Sequence, residues 1–447
     1  MRAPCLLPIV IAGASALAQS RFPAVFVANN GNLEGSVSSF RVEGDARVTL
    51  VQKLILGDRL SSEPNDPGTN AYAISITPSG RFLAISHATG ATVSEQISVE
   101  EVAPDATLTL FQAFQTPDSP LKLQFLRDDL LAVTRTQSSG TNSVILYRFD
   151  PNARTLNRID SVDTGGFTSD LAASPDGRFV LCNDSPLSGA ASIRAFEIVA
   201  DRLVPRGVAF APGTYAIGMG LTPEGNRVYT CGGSRTPYIV HAFDLDGAGD
   251  FLPLAASPFP SGGTSPKQGV VSPDGAYLFV GHGTDGSIHT HAIDAAGALT
   301  HLGLAFDVGI QGSLGDMACA RVDGRNLLFF TDRETYDSTP RGLFSAEINA
   351  DGSLRIISTR VDSLGVAPND IVVWAIPTPC DADLDDGTGT GTRDGAVTID
   401  DLLYFLGMYE GGDVRADLDD GSGTGTRDQA VTIDDLLFFL AHYEGGC

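Results

Sequence analysis

Two aspartate clusters near the end of the chain have residue types and spacing suited to holding a metal ion. Asp383, Asp385, Asp394, Thr398 and Asp401, with the carbonyl of Ala396 among them, offer hard oxygen donors. Thirty-four residues further on, the same pattern returns as Asp417, Asp419, Asp428, Ala430, Thr432 and Asp435. Calcium takes about six to eight oxygens, and a calcium loop supplies them from positions 1, 3, 5, 7, 9 and 12. Asp394 through Asp401 matches positions 5 to 12, and Asp383 with Asp385 serve as 1 and 3 once the intervening Gly/Thr run loops out. Calcium is therefore the expected cofactor. An acidic, solubilising tail would have no reason to repeat in register. Four histidines (His87, His282, His289 and His291) are a second possible donor set. His289 and His291 are two apart on one strand pattern, with His282 in the loop before it. With no carboxylate or cysteine at ligand spacing, they read as solvated strand residues.

The elements around the acidic loops follow from the same residues. Thr398 and Thr432 stand where a helix N-cap belongs, and Ile399, Leu402, Leu403 and Leu406 fall on one face of the helix that follows. The tandem unit resembles a dockerin, a pair of EF-hand-type calcium loops in which Asp at position 12 is usual. That resemblance implies docking to a protein or cell-surface partner. The inserted Gly/Thr segment and Gln429, where a turn glycine is expected, depart from the pattern. Cys380 precedes the first loop and Cys447 is the last residue, so antiparallel helices would bring the two together as a disulfide.

Ahead of this module the chain is organised by a repeated turn. Thr77-Pro78-Ser79-Gly80, Ser174-Pro175-Asp176-Gly177, Thr222-Pro223-Glu224-Gly225 and Ser272-Pro273-Asp274-Gly275 each lie between short apolar runs. Pro presets φ for the turn, and Gly supplies the positive φ that leaves it. With the weaker copies at Asp128 and Gly324 included, the steps are 48, 49, 48, 50 and 49 residues. Repeats of roughly 40–50 residues mark propeller blades. Seven alternating third strands, such as Val144–Phe149 and Ile288–Ile293, each precede an Asx/Gly turn and a fourth strand. The predicted fold is all-β: a seven-bladed propeller over residues 21–377, with a small α-helical EF-hand-like domain at 380–447. The chain enters at Ala24–Ala28 as a second strand and leaves at Ile371–Ile376 as a first strand, so one blade is predicted to join both ends of the ring.

These turns, the apolar second strands and the Asp-Gly-x-Leu fourth strands resemble the lactonase family of seven-bladed propellers. That family includes 6-phosphogluconolactonase and carboxymuconate-lactonising enzymes. The resemblance implies a His-x-His pair before one turn and an acid after the next strand. Aligned on Gly177, the histidine positions fall at Phe167 and Ser169, while the acid has a counterpart in Asp184. Asp184 is thus the one catalytic candidate. The loops expected on the channel face supply Asn29, Asn30, Glu34, Glu63, Asp66, Asp163, Asp184, Asp285, Asp332, Arg333, Glu334, Asn369 and Asp370. So acidic a rim reads as suited to a cation or a neutral ligand, not to a phosphorylated or carboxylated lactone.

Composition narrows the classes further. A formal charge of −25 argues against nucleic acid and anionic membrane surfaces. The last 67 residues hold 16 Asp and Glu against three Arg, a shift that marks the domain boundary. Residues 1–18 read as a signal peptide, with Arg2, an apolar Leu6–Ala18 and an Ala16-Leu17-Ala18 cleavage site, and no segment is long enough to span a membrane. The expected location is extracellular or on the cell surface. Cys182, Cys231 and Cys319 remain as buried thiols or disulfide partners. The functional expectation is a non-catalytic ligand- or partner-binding propeller with a calcium-dependent docking module. A lactonase-like hydrolase is the alternative.

Overall fold

The structure is a computed structural model. It describes residues 22–445 apart from 32, 59–66, 89–95, 117–118, 136–142, 186–190, 212–217, 233–235, 310–311, 336–340, 376–381, 386, 388, 392–396 and 424–426. The expected signal peptide, the expected Cys380–Cys447 pair, and Asp394 and Ala396 all lie outside the described residues.

Each repeated turn is held by its first side chain. The Ser174 hydroxyl accepts the amide of Phe179 (2.8 Å) and donates to Asp176, while the Gly177 amide donates to the Ser174 carbonyl. Thr77 and Ser272 do the same for Phe82 and Tyr277. Gly80, Gly177, Gly225 and Gly275 all have φ near +70°, so the repeat is written in a conformation that other residues resist.

Among the described residues there are seven antiparallel sheets, each led by an innermost strand lining the ring. In order from the second blade these strands are Ala71–Ile76, Pro120–Arg127, Leu171–Ala173, Gly218–Leu221, Pro266–Val271, Gly312–Val322 and, for the first blade, Pro368–Trp374. Pro368–Trp374 pairs with Ala24–Asn30, from Ala24 opposite Trp374 to Val27 opposite Ile371. One blade therefore joins both ends of the ring, as expected, and no free sheet edge remains at the seam. The fifth blade departs from the four-strand pattern. Its outer strand is split into Phe251–Pro253 and Phe259–Pro260, both paired to Ile239–Leu245. Prolines 253, 258 and 260 explain the break, since proline removes ladder donors.

Seven apolar clusters fill the seven seams between blades. Between the second and third blades, Phe82, Phe111, Phe125 and Phe149 meet edge to face. Because neighbours cover both faces of each sheet, the second strands Phe82–His87 and Phe179–Asp184 are buried along their whole length. Cys182 and Cys231 belong to these clusters as free buried thiols, and Cys319 is also free.

The C-terminal residues form two short helices, α1 (Ile399–Glu410) and α2 (Ile433–Gly445), around a core of their own. Thr398 caps α1 in a capping box with Asp401. The Phe405 and Phe439 rings stack at 4.1 Å within that core. The expected apolar face is displaced, however. Phe405 and Met408 are buried, while Ile399 and Leu403 are exposed. The helices turn inward the face that carries the aromatic rings, because the larger rings bury more surface. No helix among the described residues is long and apolar enough to cross a membrane.

Candidate functional site in the propeller channel

The chemistry collects where the innermost strands begin. At that end most of them carry a register shift: between Ala71 and Ala73, Pro120 and Leu123, Pro266 and Gln268, and Leu314 and Met317. A bulge leaves a residue out of the ladder and re-aims its side chain. Second-strand side chains satisfy the freed amides. Ala73, Lys122, Asp170 and Asp316 donate their backbone N–H groups to Ser86, Thr134, Asn183 and Thr331 respectively. Tyr72, Lys122, Lys267, Asp316 and Asn369 stand at such bulges. With Asp170, Arg333 and Asp370 they line a cavity of about 80 Å³ at the channel mouth.

Three cations face three carboxylates there. Lys122 reaches across the ring to Asp370 (2.5 Å) and Asp316 (3.3 Å). Burial opposes its charge, but Asp370, Asp316 and Asp170 outweigh burial and hold its ammonium well above the usual lysine range. Burial pushes Asp316 well up, whereas Asp370, equally buried, is carried below the usual range by Lys122, by a hydrogen bond shared with Asp316 and by the Ile74 amide (2.9 Å). The opposite directions are those of an acid–carboxylate pair in which Asp316 holds a proton more readily than Asp370. Asp170 accepts the Met219 amide (2.7 Å), and burial raises its carboxyl to about 6.

Lys267 and Arg333 differ from Lys122. Among the described residues neither has a carboxylate within ion-pair distance. Lys267 donates to the carbonyls of Gly315 (2.6 Å) and Leu314 (3.4 Å), and the buried Arg333 Nε has no hydrogen-bond partner. Burial first, and then Arg333, lowers the Lys267 ammonium to about 8. Two cations side by side, one short of partners, form a receptor for an anion.

The expected acidic rim is therefore corrected. Of its residues only Arg333, Asn369 and Asp370 line the cavity. Asp332 is buried beside Arg360 (3.0 Å), Glu34 pairs with Lys53 (2.7 Å), Asn29 donates to Ser36 and Ser38, and Asp285 accepts from Ser287 and the Thr264 amide. Asp163 lies exposed on its outer strand. Glu63, Asp66 and the Glu334 side chain lie outside the described residues. Asp184 is buried, accepts from Arg194 (2.6 Å) and stands away from the cavity-lining set. Lys122, Asp170, Lys267 and Asp316 are not among the expected rim residues because they stand at the heads of the innermost strands and not in the connecting loops. A charged residue six to eight positions before the turn positions Asp128, Gly177, Gly275 and Gly324, at the head of an apolar strand, is the signal that could have found them.

The histidines are also corrected. His87, His282 and His291 are buried, and His282 closes the strand Tyr277–His282 instead of lying in a loop. Burial lowers all three imidazoles to about 4. In the C-terminal loops, Asp401 accepts the amides of Leu384, Asp385 and Thr398, and Asp435 those of Leu418, Asp419 and Thr432. Asp385 accepts from Gly387, Gly389 and Gly391, Asp417 from Asp428 and Gln429, and Asp419 from Gly421 and Gly423. These carboxylates order their own loops. Among the described residues no group of three or more His, Cys, Asp or Glu is arranged to hold a metal ion.

No protein-family model matches the chain, and no curated protein sequence does. Solved structures do. The chain is similar to a periplasmic gluconolactonase of Pseudomonas aeruginosa (18% identity, TM-score 0.60, covering 80% of this chain and 100% of that one). It is equally similar to a putative 6-phosphogluconolactonase of Bacteroides fragilis (18%, 0.60, 80% and 99%). A putative 6-phosphogluconolactonase of Bacteroides uniformis aligns at 15% identity with a TM-score of 0.60 over 79% and 100%. At such identities the likeness is one of fold, and the fold that the chain shares with these structures is the seven-bladed propeller.

Proposed function

We propose that the chain is a lactone hydrolase that works at the channel mouth on a sugar lactone carrying an anionic group. The observation that carries this reading is the Lys267–Arg333 pair, which among the described residues has no carboxylate within ion-pair distance, beside the Asp316–Asp370 carboxyl pair. Propeller neighbours named as gluconolactonase and putative 6-phosphogluconolactonase support it. In this scheme Lys267 and Arg333 hold the anion. The Asp370 carboxylate takes a proton from water as that water attacks the lactone carbonyl. The ring C–O bond then breaks, and the protonated Asp316 returns a proton to the leaving oxygen.

The test compares hydrolysis of 6-phosphogluconolactone with that of the neutral gluconolactone. The phosphorylated lactone should be preferred in kcat/KM by at least tenfold. Arg333→Ala and Lys267→Ala should remove most of that preference, chiefly through KM, since a charge-assisted contact contributes about 1.5–3 kcal/mol. Turnover at background for both lactones would overturn the reading. So would a preference that survives both substitutions.

We also propose calcium for the C-terminal loops. The observation behind this is that Asp383, Asp385, Asp417 and Asp419, the oxygen donors of two loops that repeat in register, are each no more than 5% exposed. Calcium added to the full chain should raise the melting temperature of the C-terminal transition, and Asp385→Ala with Asp419→Ala should remove the shift. A melting curve indifferent to calcium would count against the assignment.

A further inference from the structure

The sixth blade carries a histidine group outside the channel. His289 and His291 lie on the strand Ser287–Ile293, and His301, on Leu299–Asp307, is paired directly opposite His291. Alternation along a strand puts all three on one face of the sheet. His301 lies between the other two, with ring centroids 5.1 Å from His289 and 5.0 Å from His291.

Three features of this group point to a ligand. His289 Nδ1 and His301 Nε2 stand 2.9 Å apart. Two imidazole nitrogens bound at about 2.0–2.1 Å to one zinc ion are separated by roughly 2.9–3.3 Å, depending on the angle at the metal. The pair therefore already has the bite of two ligands, with a shared proton where the ion would sit. Secondly, His291 Nε2 contacts the Pro260 carbonyl at 3.0 Å. A carbonyl only accepts, so Nε2 carries the hydrogen and Nδ1 presents a lone pair. That Nδ1 is buried and has no hydrogen-bond partner. A histidine whose far nitrogen is anchored to a carbonyl while its near one is bare is the usual state of a metal ligand. Thirdly, Gly262, at φ +97°, passes over the pair, and a Cβ there would lie 2.7 Å from both nitrogens. The glycine leaves open the space next to the two donors.

We propose that His289, His301 and His291 form a site for a divalent transition metal of the zinc type. His289 Nδ1 and His301 Nε2 are the first two ligands, His291 Nδ1 is the third, and the fourth position is open to water. As the rings stand no three donors surround one point, so the exposed His301 and its partner His289 shift toward His291 on binding while His291 keeps its Pro260 anchor. The donor set selects the metal: three neutral imidazoles suit zinc, cobalt, nickel or copper and disfavour calcium and magnesium. Asp285 faces His282, accepts from Ser287, and is not part of the set.

Cobalt titration of the metal-free full-length chain, with calcium in excess to occupy the acidic loops, provides the test. One equivalent should give the visible absorption of four-coordinate cobalt, bleached by zinc. His301→Gln alters an exposed ring and should keep the far-ultraviolet circular dichroism of the native chain. It should lower cobalt affinity at least ~100-fold, and His291→Gln should lower it about tenfold or more. His289→Gln serves as a second variant should His301→Gln fold poorly. Asp385→Asn should leave the spectrum unchanged. Absence of the band at millimolar cobalt would overturn the proposal, as would a band that persists in both His301→Gln and His289→Gln.

Discussion

Asp316→Asn is expected to lower kcat for an anionic sugar lactone by about 10²–10⁴-fold, the range supplied by a positioned general acid. The substitution is nearly isosteric, and an asparagine Oδ1 can still accept the Met317 amide that Asp316 now holds at 2.8 Å. The fold and the cavity should therefore persist while the transferable proton is lost. KM should change far less, because the proposed scheme assigns the substrate charge to Lys267 and Arg333. On the proposed reading the native chain should also lose kcat as pH rises through the elevated Asp316 pKa, since burial keeps the acid protonated only below it. That basic limb should vanish in the variant, whose residual rate has no such proton to lose. A variant within tenfold of native kcat, or one that keeps the basic limb, would remove Asp316 from the mechanism.

The propeller was legible because its signals are local. A Ser or Thr hydroxyl that captures an amide five residues on, followed by a glycine at positive φ, is set by a handful of neighbouring residues. Six such turns, two of them weaker copies, set the period of the blades, and the split blade follows from the strands at both ends. The channel site was harder to read because it depends on bulges. Whether Lys122 points into the ladder or into the channel is decided by a shift between Pro120 and Leu123, which no spacing rule announces. The histidines failed for a related reason. Their spacing on the strand Ser287–Ile293 suggests solvated side chains, yet in a propeller the next blade covers the second face of each sheet as well, and His291 is buried there. On α1, the stripe holding Ile399 and Leu403 was a valid helical pattern, but stacking of Phe405 on Phe439 decided which face turns inward.

The other large effect concerns Glu100, in the strand Gln96–Val102 of the second blade. It pairs with Leu83 on one side and Leu110 on the other, and its face packs against the first blade through Leu83, Ile85 and Val102. The side chain is fully buried, and neither oxygen has a partner in hydrogen-bond geometry. Burial pushes its carboxyl from 4.5 up to about 8, against a smaller opposing pull from Ser98. A carboxyl whose folded pKa is raised keeps its proton in the folded chain after the unfolded chain has lost it. Stability should therefore be full below pH 4.5 and decline as pH rises toward 8, by about 1.4 kcal/mol per unit at most. Above that pH the folded chain holds an unpaired buried charge, and the loss levels off at a few kcal/mol. Asp170 and Asp316 slope the same way, so the native curve alone does not isolate Glu100. Glu100→Gln does, because the amide is neutral at every pH, and any cost of its own unpaired N–H groups is a constant offset. The melting-temperature difference between Gln and Glu chains should grow in favour of Gln by roughly 5–10 °C between pH 5 and pH 9. Two curves that run parallel across that interval would mean that Glu100 does not titrate there, and that water or a counter-charge reaches it between the blades.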